Sequence, residues 1–221
     1  MSEYLPAVEI ETRPKPSHAV IWLHGLGADG NDFVPIVDAL ALPPLGIRFV
    51  FPHAPLRPIT INGGFVMRGW YDITGAELSS GEDEHGIRSS QKAIEALIAR
   101  ESGRGIPTSR MVLAGFSQGG AIALQTGLRQ KKKLAGLLIL SAYLPLAHKL
   151  AGEREAANDL TPIYMAHGRE DGIVPPALAR QSKQQLEELG YTVQWREYDM
   201  PHAVCEEELE DIGDWLGKTL L

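Results

Sequence analysis

The stretch Gly115-Phe116-Ser117-Gln118-Gly119-Gly120 constrains this chain more than any other. The apolar run Met111 to Ala114 before it reads as a strand and Ala121 to Leu128 after it as a helix, so the serine falls at a strand-to-helix bend. G-x-S-x-G in that context is the pattern of a nucleophile elbow, a turn so tight that the residues two before and two after the serine must be small. Gly115 and Gly119 meet that need. The reversal holds the hydroxyl clear of the strand end and leaves the Gln118 N–H at the positive end of the following helix.

Repeated alternation of strand-like and helix-like segments surrounds the elbow. Val8 to Thr12 alternates weakly as an edge strand, and Ala19 to Leu23 is a short buried strand ending in the glycine-rich His24-Gly25-Leu26-Gly27-Ala28-Asp29-Gly30. Phe33, Ile36, Val37 and Leu40 recur at helical spacing, with Asn31 or Asp32 as N-cap and Pro35 in the first turn. Ile47 to Phe51 is a strand followed by Pro52-His53-Ala54-Pro55. Leu56 to Glu82 then reads as a long irregular segment, of a length that is usually functional or carries secondary structure of its own. A helix is expected over about 83–100, strands at Leu137 to Leu140, Pro162 to Ala166 and Thr192 to Tyr198, and helices at Ala177 to Leu189 and Glu206 to Lys218. The pattern predicts an open α/β fold: a mainly parallel sheet with helices on both faces, whose ligand site lies outside the carboxyl ends of the strands. Between Leu144 and Leu160 there is too little chain for a large cap domain.

With 221 residues, 44% of them hydrophobic, and no repeat or linker-like tract, a single domain over 1–221 is expected. A net charge of −7 argues against nucleic acid or an anionic membrane as principal partner. The one basic cluster, Arg129 to Lys133, falls at the end of the helix after Ser117, where solvation and the helix C-terminus account for it. A single cysteine, Cys205, excludes an intramolecular disulfide, suits a reducing compartment and reads as the buried first apolar position of the last helix. No signal-like start and no bilayer-length apolar run are present, so a cytoplasmic protein without stable membrane insertion is expected. His202 and Cys205 are the only close His/Cys pair, which gives metal binding little support.

A serine hydroxyl needs an imidazole to take its proton as it attacks. Of the seven histidines, His18 and His85 read as surface residues, and His148 lies in a polar connection. His24, His53 and His167 sit at strand ends, where a hydrogen-bonded loop anchor is the commoner role. His202 lies between the last strand and the last helix, where an α/β-hydrolase presents its base in the order serine, acid, histidine. Asp171, in the loop after Ala166, is the expected acid. Glu170 and Asp199 are its rivals, the latter more simply a turn residue. Oxyanion donors are expected from the N–H groups of Gln118 and Leu26. Loss of one such donor typically costs roughly 3–4 kcal/mol of transition-state stabilisation. Leu26, Ile61, Phe65, Trp70, Leu144 and Val174 are candidates to line an acyl groove, and each is equally a candidate core residue.

His24-Gly25-Leu26-Gly27, Pro52-His53-Ala54-Pro55, Trp70-Tyr71-Asp72, the Gly115 to Gly120 stretch, Asp171-Gly172-Ile173-Val174-Pro175 and His202 together resemble the acyl-protein thioesterase and small bacterial carboxylesterase branch of the phospholipase/carboxylesterase family. The resemblance runs from about Ala19 to the C-terminus. It implies nucleophile Ser117, acid Asp171, base His202 and oxyanion donors Leu26 and Gln118. It further implies hydrolysis of carboxylic esters or thioesters in small molecules, lipids or acylated proteins, lysophospholipase activity in some members, no cofactor, and a monomer or homodimer. A peptidase or lactone hydrolase, and a non-catalytic binder on the same fold, are the competing readings.

Overall fold

The computed structural model describes residues 4–75 and 77–221. In chain order its elements are β1 (Ala7–Glu11), β2 (His18–Leu23), α1 (Ile36–Ala39), β3 (Ile47–Pro52), β4 (Leu56–Ile59), β5 (Phe65–Arg68), α2 (Glu84–Gly103), β6 (Met111–Phe116), α3 (Gln118–Leu128), β7 (Gly136–Leu140), α4 (Ala147–Glu153), β8 (Ile163–Gly168), α5 (Pro176–Glu188), β9 (Val193–Tyr198) and α6 (Glu206–Leu220). Seven strands form one sheet in the order β1-β3-β2-β6-β7-β8-β9. Only the edge strand β1 runs antiparallel to its neighbour.

Side chains alternate across a strand, and here both faces are apolar. Ala19, Ile21 and Leu23 of β2, Met111 and Leu113 of β6 and Leu137 and Ile139 of β7 pack into one core with α2, α3 and Leu186 of α5. Val20 and Trp22, Val112 and Ala114, and Leu138 and Leu140 pack into a second core with Ile36 and Val37 of α1 and Ile212, Trp215 and Leu216 of α6. Burial on both faces is why these strands read as unbroken apolar runs. Helix α3 is buried along its entire length, as a helix crossing the middle of a sheet must be.

The pairing register brings the carboxyl ends of the central strands level. Leu23 of β2 lies opposite Gly115 of β6, Phe116 opposite Leu140 of β7, and Leu140 opposite Ala166 of β8. Loops leaving β2, β6, β8 and β9 therefore emerge along one edge.

Several expectations are corrected. The segment after β2 forms consecutive tight turns over 29–36, opened by the Asp29 carboxylate accepting from Asn31 N–H at 2.7 Å, and α1 has only four residues. Pro35 has no N–H with which to extend a helix back to Asn31. Ile36, Val37 and Leu40 are nonetheless buried, as their spacing implied. The segment 56–82 is not wholly irregular: β4 and β5 pair from Leu56–Arg68 to Ile59–Phe65, and Gly63 and Gly64 turn the hairpin at φ 66° and 80°. Arg129 is buried, with its Nε donating to Glu153 at 2.7 Å, so it is a structural cation and not a solvated one. His18 is buried, Ser17 lying 3.0 Å from its Nδ1, and is not a surface residue. Cys205 is half-buried at the N-cap of α6.

Glu208, in the first turn of α6, is fully buried; no charged partner meets its carboxylate among the described residues, and the backbone N–H of Cys205 only partly offsets its burial. Burial pushes its carboxyl up to about 8, and the charge of Asp211 adds to the rise. The unfolded chain gives up this proton near the ordinary glutamate value, while the folded chain holds it. Wild-type stability therefore falls as pH climbs from about 4.5 towards about 8 and levels off above. Glu208→Gln, which mimics the protonated acid, is expected to raise Tm by several degrees at pH 8 and to have little effect at pH 4.5, measured by thermal melts across that range. At the elbow, a Cβ on residue 119 would lie 2.4 Å from Leu23 O and 2.5 Å from His24 O, both backbone atoms that cannot step aside. Gly119→Ala is expected to cost several kcal/mol, read as a large fall in the denaturation midpoint, whereas Gly152→Ala on α4, where a Cβ meets nothing, is expected to be neutral or stabilising.

Candidate active site

Ser117 sits between β6 and α3 with φ 56° and ψ −123°, a backbone conformation that costs a non-glycine residue energy. Two contacts enforce it. Ser117 N–H donates to Leu140 O of β7 at 2.8 Å, and Ser117 O accepts from Ala121 N–H at 3.0 Å in the first turn of α3. A Cβ at Gly115 would lie 2.4 Å from the Gly119 carbonyl carbon, so strand and helix touch here and both glycines are obligatory. The serine side chain is half-exposed at the strand end.

The loop after β2 runs alongside. A Cβ at Gly25 would meet the Phe116 ring at 3.3 Å and Ser117 Cβ at 3.5 Å, which places Leu26, the next residue, beside the elbow. Neither Leu26 N–H nor Gln118 N–H enters any loop or turn hydrogen bond among the described residues. His24 holds this loop in place: its Nδ1 lies 2.7 Å from Gly25 O and its Nε2 accepts from Ala54 N–H at 3.0 Å. Burial lowers the His24 pKa, in keeping with a neutral ring that donates through Nδ1 and accepts through Nε2. His53 accepts from Gly30 N–H at 3.0 Å. Both histidines are hydrogen-bonded loop anchors, as expected.

Asp171, buried in the loop after β8, accepts from Ile173 and Val174 N–H through Oδ1, both at 2.8 Å. Its Oδ2 faces His202 Nδ1 at 2.7 Å, across loops that follow adjacent parallel strands. The His202 ring packs on Phe116 of the elbow, with ring centroids 4.7 Å apart. The rivals lie elsewhere: Glu170 is exposed, and Asp199 is ion-paired with Arg169 at the surface. With Nδ1 engaged by Asp171, the ring's remaining nitrogen, Nε2, is the one available for proton transfer.

One function of this site was invisible in the sequence. The Gln118 side chain accepts from Trp70 N–H and donates to Tyr71 O, each at 2.7 Å, so the residue after the serine also pins the segment after β5 against the elbow. That segment is fixed further by Trp70 Nε1 donating to His24 O at 2.8 Å and by a Tyr71–Tyr143 hydroxyl contact at 2.9 Å. Burial raises both phenols, Tyr143 to about 12. Trp70 is therefore scaffold: fully buried, it has no surface for an acyl chain. Leu144 and Val174 are also buried, at 5% and 3% exposure. Of the suggested groove residues, Leu26 is half-exposed, and Ile61 and Phe65 lie open to solvent on the hairpin segment. Among the described residues, no three His, Cys, Asp or Glu side chains converge as metal ligands would, and no helix is long and apolar enough to cross a membrane.

Comparison with known proteins agrees with this geometry. The family model described as Phospholipase/Carboxylesterase matches residues 6–220. Acyl-protein thioesterase 1 of Neurospora crassa is 40% identical over 97% of this chain and 92% of its own length, and that of Gibberella zeae is 41% identical over 91% and 90%. Among solved structures, Arabidopsis thaliana SOBER1 superposes with a TM-score of 0.88 at 30% identity, covering 92% of this chain and 99% of its own. Zea mays acyl-protein thioesterase 2 does so with a TM-score of 0.83 at 27% identity, covering 99% and 100%. Elbow, loops and sheet order therefore have one common source: the chain belongs to the phospholipase/carboxylesterase family of α/β-hydrolases.

Proposed function

We propose that this chain hydrolyses carboxylic esters and thioesters through an acyl-enzyme on Ser117, with Asp171 as acid and His202 as base. The observation that carries the reading is the 2.7 Å pairing of His202 Nδ1 with Asp171 Oδ2 beside the strained serine elbow. His202 Nε2 takes the Ser117 proton as the oxygen attacks the acyl carbonyl. Asp171 fixes the tautomer and balances the imidazolium. The N–H groups of Leu26 and Gln118, left free by the surrounding loops, receive the oxyanion. His202 then returns the proton to the departing alcohol or thiol, and a water activated by the same imidazole releases the acid. The whole chain acts as one domain, monomeric or homodimeric. Its single thiol suits the reducing cytoplasm.

The exposed apolar residues of the hairpin support acyl groups as substrates. Leu56, Phe65 and Val66 are each more than half exposed on β4 and β5, an arrangement costly in water unless something apolar covers it. A Cβ at Gly69, just past the hairpin, would meet Leu26 Cδ1 at 3.0 Å and Ile59 Cδ1 at 3.1 Å, so the hairpin base abuts the oxyanion loop. Short- to medium-chain acyl groups, including those on lipids or proteins, match this surface. The relatives named acyl-protein thioesterase 1 favour the S-acylated protein.

A fluorophosphonate is expected to modify wild-type protein at Ser117 alone, mapped by peptide mass spectrometry, and to leave Ser117→Ala untouched. Asp171→Asn is expected to lower kcat on a thioester by roughly a thousandfold or more, since the base is then held in the wrong tautomer. Folded protein that takes no adduct at Ser117 would remove the enzyme reading in favour of a binder.

A further inference from the structure

The buried carboxylate of Asp171 has a second histidine. His167, at the end of β8 and 1% exposed, places its Nε2 2.8 Å from Val174 O and 3.2 Å from Asp171 Oδ2, the oxygen that also faces His202. Its other nitrogen, Nδ1, is buried without a partner among the described residues. The Val174 carbonyl can only accept, so Nε2 carries the hydrogen, and the lone pair is left on the unpartnered Nδ1. The Trp195 ring of β9 lies nearly parallel to the imidazole, with centroids 6.3 Å apart, which fixes its plane.

We infer that His167 is a positioning residue for the acid: its N–H anchors the 171–174 loop at Val174 O, and the same edge of the ring, 3.2 Å from Asp171 Oδ2, tempers the charge of the oxygen that faces His202. Two mechanical consequences follow. By holding Val174 O, His167 fixes the residue whose own N–H donates to Asp171 Oδ1, so the carboxylate is braced through that oxygen. The His167 N–H is aimed at Val174 O, but the positive Nε2–H edge of the ring still lies 3.2 Å from Asp171 Oδ2, where it offsets part of the charge that His202 faces and weakens the pull of Asp171 on a protonated His202. The charged and titratable groups facing His167 are Asp171 from its own loop, His202 from the loop after β9, and Glu197 from β9. Burial lowers the His167 pKa, which keeps the ring neutral over the range in which a histidine base works.

The inference rests on the Ser117–His202–Asp171 reading and adds a measurable property to it. Removing the N–H with His167→Phe leaves more uncompensated charge on Asp171 and favours the imidazolium form of His202. The acid limb of the kcat/KM profile is expected to move to higher pH by about half a unit or more. Because His167 is enclosed and lies behind the acid, kcat should fall roughly tenfold with KM little changed. His167→Gln, whose amide N–H reaches the position of Nε2, is expected to restore the wild-type limb. His167→Asn, one carbon shorter, is expected to behave like His167→Phe. Should His167→Phe not fold, the Gln and Asn variants carry the comparison. Equal acid limbs in wild type and the donor-less variant, or a limb that His167→Gln fails to restore, would overturn the inference. Fluorophosphonate labelling of the wild type separates the two levels: no adduct at Ser117 removes the catalytic reading, while normal labelling with unmoved limbs removes only the role of His167.

Discussion

Everything in this site depends on the left-handed backbone at Ser117. A residue with a side chain resists φ 56°, and the conformation persists because its surroundings leave no other. The Ser117 N–H is tied to β7, its carbonyl to the first turn of α3, and the helix start lies so close to β6 and the end of β2 that only glycine fits at 115 and 119. Local strain is thus held by the buried sheet and by a helix enclosed along its whole length. The same geometry that exposes the hydroxyl also frees the Gln118 N–H, so the proposed nucleophile and one proposed oxyanion donor are products of one turn.

The remaining parts are positioned by sheet register and by a second layer of polar contacts. Parallel strands whose ends lie level put the loops after β2, β6, β8 and β9 on one edge, and each loop is then stiffened by its own anchor: His24 and His53 for the loop after β2, paired backbone N–H groups for Asp171. Gln118 does the same for the Trp70–Tyr71 segment with its side chain. His24, and His167 behind Asp171, are histidines whose pKa burial lowers, so they brace loops without adding charge beside His202. Positioning by rigid neighbours in this way spares a serine hydrolase large movements during the reaction.

How much of this was readable in the chain differs from residue to residue. The strands, the elbow and the loops holding Asp171 and His202 were legible, because buried parallel strands produce unbroken apolar runs and because a tight turn demands glycine at fixed offsets. The β4–β5 hairpin was not, since its Leu56, Phe65 and Val66 face solvent and break the link between apolar pattern and core. For the same reason Trp70, Leu144 and Val174 could not be told from groove residues, burial being a property of the packed whole. Nor could pattern show that Arg129 turns inward to Glu153 or that His167 lies against Asp171, as both depend on partners far along the chain or around a bend.

The central claim, that this edge of the sheet forms a covalent acyl-enzyme on one serine, is tested most directly by mixing the enzyme with a chromogenic ester and quenching in acid within the first turnover. The account predicts a burst of product approaching one equivalent per chain, together with a mass increase equal to the acyl group on the peptide containing Ser117. Product release without any acyl mass on Ser117, in an enzyme whose deacylation is shown to be slower than the quench, would contradict it.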